Sequence, residues 1–213
     1  MTVEQNASYA YSNFTIKWAT SKWEISQAHK LRRKVFCHEQ GIFDTDDQDH
    51  IDGRAQCLVA LANEGCWHDK VVGTVRIHSE GNNVWWGSRL AVDNDFRAQV
   101  GLGSALIKLA VSSANGLGCE QFLAQVQKQN EPLFKRLNWK SQYEMMIRKK
   151  LHVVMEAELA KFPPMVNPNN GFIIRDKLNS EHLQTPALPQ NWGGGLCNSL
   201  CDSLMVPYAQ HAH

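Results

Sequence analysis

The sequence predicts an α/β fold, and three features carry that prediction. Alternating or β-branched runs at Phe14–Trp18, Cys57–Ala62, Val71–Ile77 and Gln121–Val126 read as strands. Ser21, three residues ahead of Glu24, forms a capping box that opens a helix. The stretch from Leu90 to Ala114 joins the two patterns. An apolar run ends at Val92; a polar turn and Gly101 and Gly103 follow; Leu102, Leu106, Leu109, Ala110 and Ala114 then repeat at the spacing of a buried helical face.

The elements follow in order. Met1–Asn13 is a polar arm without an apolar signal core. Phe14–Trp18 opens the domain, and the Ser21 helix gathers Trp23, Ile25, Ala28, Leu31, Val35 and Phe36 on an apolar side, leaving Lys30, Arg32, Arg33 and Lys34 wet. Five aspartates then fall within the nine residues Asp44–Asp52. That run reads as a solvated loop; it lacks the glycine and the closing glutamate of a calcium loop. Asn63–Lys70 reads as a loop and Ser79–Asn83 as a turn, and Val84–Arg89 leads into the central strand. Ser141–Ile147 and His152–Glu158 are the last strand candidates, turning at Lys149–Lys150; for 152–159 a short helix stays open. From Lys161 a Pro/Asn/Gly cluster breaks the pattern. Three parts result: an arm (1–13), a domain (14–160) and a C-terminal extension (161–213) that packs back on the domain or on a partner, with Trp192, Leu196, Leu200 and Leu204 as a short buried helix.

Composition narrows the function. A net charge of +1 selects neither nucleic acid nor an anionic membrane. No apolar run reaches the roughly 18 residues that span a bilayer. Cys37, Cys57, Cys66, Cys119, Cys197 and Cys201 show no pairing rhythm and read as reduced thiols in a cytoplasm. Cys197 and Cys201 lack the second pair of a metal knuckle, so no metal is expected.

The glycine turn before a helix suits a pyrophosphate, because free first-turn amides point outward with partial positive charge. A dinucleotide fingerprint would need a glycine where Leu106 stands, and a nucleoside-triphosphate loop would need a lysine beside Gly103-Ser104. The pattern Arg89-Leu90-Ala91-Val92, Phe96-Arg97, Gly101-x-Gly103-Ser104-Ala105-Leu106-Ile107 instead resembles motif A of the GNAT acyltransferase superfamily. The resemblance implies a mixed, mostly antiparallel sheet, flanked by helices and splayed at an acyl-CoA cleft. Leu90, Ala91 and Val92 would line the pantetheine arm, and Val100, Gly101, Leu102, Gly103 and Ser104 would offer amides to the pyrophosphate. Arg97 and Gln99 flank Ala98, where the family carries Arg or Gln, so either would assist the phosphates.

Gln127–Trp139 resembles motif B of the same family, which places Asn130 near the pantetheine. Phe134 stands where a tyrosine often protonates the leaving thiolate. Leu31-Arg32-x-x-Val35-Phe36-x-x-Glu39-Gln40-Gly41 with the following aspartates is similar to acyl-homoserine-lactone synthases, and to a bacterial GNAT subfamily encoded beside a nitrilase. That likeness puts Arg32, Phe36, Glu39, Asp49 and Asp52 near the acyl-transfer centre, with Trp86 as a wall of the acyl pocket.

The expected activity is N-acyl transfer from acetyl-CoA or another acyl-CoA to a small-molecule amine, which the acidic loop would attract if cationic. Glu39 is the expected base, and Tyr143 or His152 the acid that replaces Phe134. The competing expectations are a homoserine-lactone-type synthase drawing on acyl carrier protein and a catalytically degenerate acyl-CoA-binding protein. A homodimer stays open.

Overall fold

The computed structural model describes residues 11–64, 67–97 and 101–175, all inside the unit Met1–Glu181. Gln99 and Val100, Cys197 and Cys201, the Trp192–Leu204 helix and most of the N-terminal arm lie outside the described residues.

Eight strands form one sheet: β1 (Asn13–Trp18), β2 (Gln56–Glu64), β3 (Trp67–Gly81), β4 (Val84–Val92), β5 (Gln121–Gln127), β6 (Trp139–Ile147), β7 (Lys150–Ala157) and β8 (Phe172–Arg175). Their spatial order is β6-β7-β5-β4-β3-β2-β1-β8. Every neighbouring pair is antiparallel except β4 with β5. Among the described residues three α-helices flank the sheet: α1 (Lys22–Arg33), α2 (Leu102–Gly116) and the short α3 (Glu131–Arg136). No helix among the described residues is long and apolar enough to cross a membrane.

The parallel pair is brief. Val84–Gly87 face Gln121–Ala124, and there the pairing stops. β4 runs on to Val92 and β5 to Gln127 without a bond between them among the described residues. At the parting point Gly87 leaves room for Phe122: a β-carbon on Gly87 would stand 3.1 Å from that ring. β4 also carries a bulge, with the register to β3 shifting between Thr74 and Arg76 and Arg89 in the left-handed region at φ 56°.

The capping box at α1 is formed as the sequence predicts. The Glu24 amide donates to Ser21 Oγ at 3.1 Å, and the Ser21 amide donates to Glu24 Oε2 at 3.0 Å. Lys17 Nζ adds an ion pair to Glu24 at 2.7 Å, so the cap is also tied to β1. The expected apolar side is narrower than its sequence suggests: Ala28, Leu31, Val35 and Phe36 are buried, while Trp23 and Ile25 are exposed. Past Arg33 the helix widens into a π-helical stretch, Lys34–Glu39, in which the Gln40 amide bonds back five residues to Val35.

Two expectations on β2 and β3 change. The segment read as a loop, Asn63–Lys70, is mostly hairpin, with Ala62 paired to Lys70 and Glu64 to Trp67. Its polar residues hid the strands, because an exposed hairpin end needs only backbone pairing and no buried face. The Ser79–Asn83 turn shrinks to Asn82 and Asn83, both with positive φ, as in a two-residue primed turn. Residues 152–157, left open between strand and helix, belong to β7, paired on both sides.

The two faces of the sheet bury different material. On one, α2 packs Leu102, Leu106, Leu109, Ala110 and Ala114 against Leu58, Ala60, Val72, Ile77 and Phe122. On the other, Ala28, Leu31, Val35 and Phe36 cover Val59, Leu61, Val71 and Ala91. The extension begins by packing back on the domain. Phe162 is buried in the α2-side core, the Met165 amide donates to Ser112 O at 2.9 Å, and β8 pairs with β1.

Candidate active site

The start of α2 leaves its amides open. Gly101 adopts φ 69° and ψ 38°, a left-handed conformation that suits glycine, and its carbonyl accepts from the Ala105 amide at 3.0 Å. No side chain among the described residues caps this helix, and its first turn holds no acid. The amides of Leu102, Gly103 and Ser104 therefore keep the positive end of the helix dipole. A β-carbon on Gly103 would meet only Val92 Cγ2, at an ordinary 3.9 Å.

Where β4 and β5 part, a cavity of about 620 Å³ opens. Its walls come from both faces of the sheet. Ile107, Phe122, Asn130 and Phe134 belong to the α2 and α3 side; Phe36, Phe43, Trp86 and His152 line the other. Phe134 stands edge-on to Trp139 with ring centroids 5.1 Å apart, so this position serves the wall and offers no proton.

Behind the α1-side wall lies a network of three arginines and three aspartates. Arg32 bonds Asp47 at 2.7 Å and Asp52 at 2.6 Å. Arg76 bonds Asp49 at 2.6 Å and Asp52 at 2.9 Å. Arg89 bonds Asp47 at 2.9 Å and Asp49 at 3.1 Å. Burial alone would raise the Asp52 carboxyl, but hydrogen bonds from Arg32 and the Asp49 amide, with the charges of Arg32 and Arg76, hold it far below the usual carboxylate range. Asp49 is lowered in the same way, with Arg76 and Arg89 overcoming its burial.

This network corrects two expectations. Arg32 is not wet: its side chain is 2% exposed. Nor is the aspartate run a free acidic surface. Four of its five carboxylates are matched by arginines, Asp46 by Arg33 at the surface and Asp47, Asp49 and Asp52 by the inner three, because a buried charge persists only when paired and hydrogen-bonded.

The sequence-predicted site residues divide by position. Phe36, Asp49, Trp86, Leu90, Asn130, Phe134 and His152 line the cavity. Arg32 and Asp52 stand behind the wall, and Ala91 is buried in the α1-side core. The Val92 carbonyl accepts from Arg97 Nε at 2.9 Å, and the same guanidinium is ion-paired with Glu39. Glu39 thus sits at the end of β4 and is not among the residues on the cavity wall, although the adjacent Gln40 accepts from the wall residue Gln127 at 3.1 Å. Tyr143 lies on the edge strand β6, 60% exposed, away from the cavity wall. His152 Nδ1 is 2.9 Å from the Lys150 carbonyl. A carbonyl can only accept, so Nδ1 carries a proton, and in the neutral tautomer that this bond fixes the lone pair is on Nε2.

Other wall residues escaped the sequence reading: Arg76, His78, Glu80, Arg89 and Arg148. His78 Nε2 lies 2.8 Å from Glu80, which Arg54 also holds at 2.8 Å. Burial pushes the His78 imidazole below its ordinary value, against the pull of Glu80, so it is neutral at pH 7. A signal was present: Arg76, His78 and Glu80 alternate along a β-branched run and so share one face of a central strand.

Comparison with known proteins agrees with this geometry. The sequence profile described as the acetyltransferase (GNAT) family matches residues 17–138. No curated protein matches the chain by sequence. Among solved structures, a CoA-dependent acyl-homoserine lactone synthase, BjaI, with SAM and isopentyl-CoA, aligns at TM-score 0.59 and 14% identity, over 75% of this chain and 94% of that one. ElaA from Escherichia coli aligns at TM-score 0.57 and 16% identity, over 68% of this chain and 98% of its own. An acyl-CoA N-acyltransferase from Pseudomonas aeruginosa aligns at TM-score 0.53 and 17% identity, again over 68% and 98%. At such identities the likeness is one of fold.

Proposed function

The chain belongs to the acetyltransferase (GNAT) family, and from that membership we propose that it moves an acyl group from acyl-CoA to the nitrogen of a small amine. The observation that carries this reading is the cavity through the parted strands, whose wall takes in Leu90 of β4 and Ile107 and Ala110 of α2, the helix whose start is uncapped. The pyrophosphate of CoA lies on the amides of residues 102–104, and the pantetheine arm follows the edge of β4 that β5 leaves unpaired. The thioester then stands in the gap, and the amine reaches it from the α1 side. Holding both reactants in that geometry is the larger part of the catalysis.

The reaction needs a base for the ammonium and a proton for the departing thiolate. His152 takes both roles in this reading, because it is on the wall and its Nε2 lone pair is free. It takes one proton from the ammonium and passes it to water; the amine nitrogen attacks the carbonyl carbon; His152 takes the second proton from that nitrogen, and the collapsing intermediate expels the CoA thiolate, which the imidazolium then protonates. A β4 amide near Val92 serves the oxyanion. Glu39 is the second choice, since reaching the substrate requires it to leave Arg97.

The test is thiol release from acetyl-CoA and longer acyl-CoAs with a panel of amines. Turnover with at least one amine is expected. His152→Gln should lower kcat by about 10²–10⁴-fold while acyl-CoA affinity holds. Tight CoA binding with no turnover on any amine would instead make the protein a catalytically degenerate acyl-CoA binder.

A further inference from the structure

We propose that the acceptor carries a carboxylate besides its amine, and that Arg148 holds it; this rests on the acyltransferase reading above. The argument is one of charge balance at the α1-side mouth of the cavity. The charged and titratable wall residues are Asp49, Glu80, Arg76, Arg89, Arg148, His78 and His152. Asp49 is matched by Arg76 and Arg89, and Glu80 by Arg54. The arginines of the inner network equal its aspartates, three to three.

Arg148 is left over. Among the described residues no carboxylate lies within ion-pair distance of it, nor of its neighbours Lys149 and Lys150. Its guanidinium stands 4.4 Å from the centre of the Phe43 ring, its Nη1 is 3.5 Å from the Ile42 carbonyl, and Lys150 Nζ reaches only the Gln40 carbonyl at 3.1 Å. Arg89 stands over the same ring at 4.7 Å, so two guanidiniums share one phenylalanine while only Arg89 has carboxylates. The tight β6–β7 turn, with Arg148 and Lys149 both at positive φ, fixes this cation at the mouth.

The acidic loop cannot draw in a cationic acceptor, because its inward carboxylates are already engaged. The mouth instead offers an unanswered fork of donors, which fits a carboxylate with two parallel hydrogen bonds. The uncharged part of this side is mostly apolar, with Phe36, Ile42, Phe43, Ile51, Trp86 and Ile147, and of its polar residues Gln127 is bonded to Gln40 and Ser88 to Arg76. Amine, carboxylate and apolar side chain together describe an amino acid with a hydrophobic side chain. His152 lies on the same hairpin, four residues from Arg148. Base and anion holder thus line one cavity from a single hairpin.

The experiment compares matched acceptors, phenylalanine against phenylalaninamide and leucine against leucinamide, with the full-length protein. The acids should be preferred in kcat/KM by about tenfold or more. Arg148→Gln should lower that preference by about tenfold, chiefly through KM, and Arg148→Lys should retain part of it. Acyl-CoA affinity measured by calorimetry should be the same in all three proteins, which also reports that the exposed turn folds. Equal use of acid and amide, an unchanged preference in Arg148→Gln, or weaker acyl-CoA binding in that variant would each overturn the assignment. If acyl-CoA binds but neither kind of acceptor is acylated, the acyltransferase reading itself fails and takes this inference with it.

Discussion

The two faces of the sheet meet opposite physical problems. The α2 face is held chiefly by volume: Leu102, Leu106, Leu109, Ala110 and Ala114 fill a continuous apolar core. The α1 face is held in large part by charge, with Arg32, Arg76 and Arg89 locked to Asp47, Asp49 and Asp52 behind the cavity wall. On the proposed reading the acyl donor meets backbone at the α2 start and the acceptor meets side chains on the α1 side, where the ion network ties the aspartate loop to α1, β3 and β4.

Breaking each face separately sharpens this contrast. The largest loss is expected from Arg32→Met, which takes from Asp47 and Asp52 one of the two arginines each contacts and leaves two arginines against three aspartates; unfolding by denaturant should show about 3–5 kcal/mol less stability. Adding Asp47→Leu should recover part of that loss, a coupling that a purely apolar face would not show. Leu106→Ala, fully buried on the α2 face, should cost about 3 kcal/mol through the cavity it leaves, whatever the pH.

Acid separates the faces further. Asp49 and Asp52 have folded-state values below their unfolded ones, so their stabilisation is complete above the unfolded carboxylate range, near pH 4, and disappears as the pH falls through the folded values. Thermal unfolding should thus be flat in this contribution from pH 7 to about 5 and decline below about 4. Asp52→Asn should be less stable at pH 7 and show a shallower acid decline, and an unaltered acid slope would remove Asp52 from the network's role. The smallest effect is expected at Trp23, which stands outside both cores: Trp23→Ser should change stability by about 1 kcal/mol or less.

The same contrast explains what could be read in the sequence. Periodicity reports burial against an apolar neighbour, so all five α2 positions and the Ser21 cap were legible from Leu90–Ala114 and the Ser21–Glu24 spacing. Periodicity says nothing of partners distant in sequence. Asp49 finds Arg76 and Arg89 across 27 and 40 residues, and a run of aspartates looks alike whether it faces water or folded arginines. Arg32 was read as wet for that reason. Arg148 was invisible for another: an arginine beside two lysines in a turn is ordinary surface until its neighbours' acids are seen to be engaged elsewhere. The hairpin at Asn63–Lys70 was missed because polar residues carry no alternation to read.

The central claim is that the amides opening α2 grip the pyrophosphate of CoA and so aim the thioester into the gap between β4 and β5. Calorimetric titration of CoA into the native protein and Gly103→Glu tests it most directly. The added carboxylate would lie across those amides, and position 103 leaves ordinary space for its β-carbon, so the fold should be kept. The account predicts affinity weakened by about a hundredfold or more with an unchanged melting temperature. Equal CoA affinity in the two proteins would contradict it.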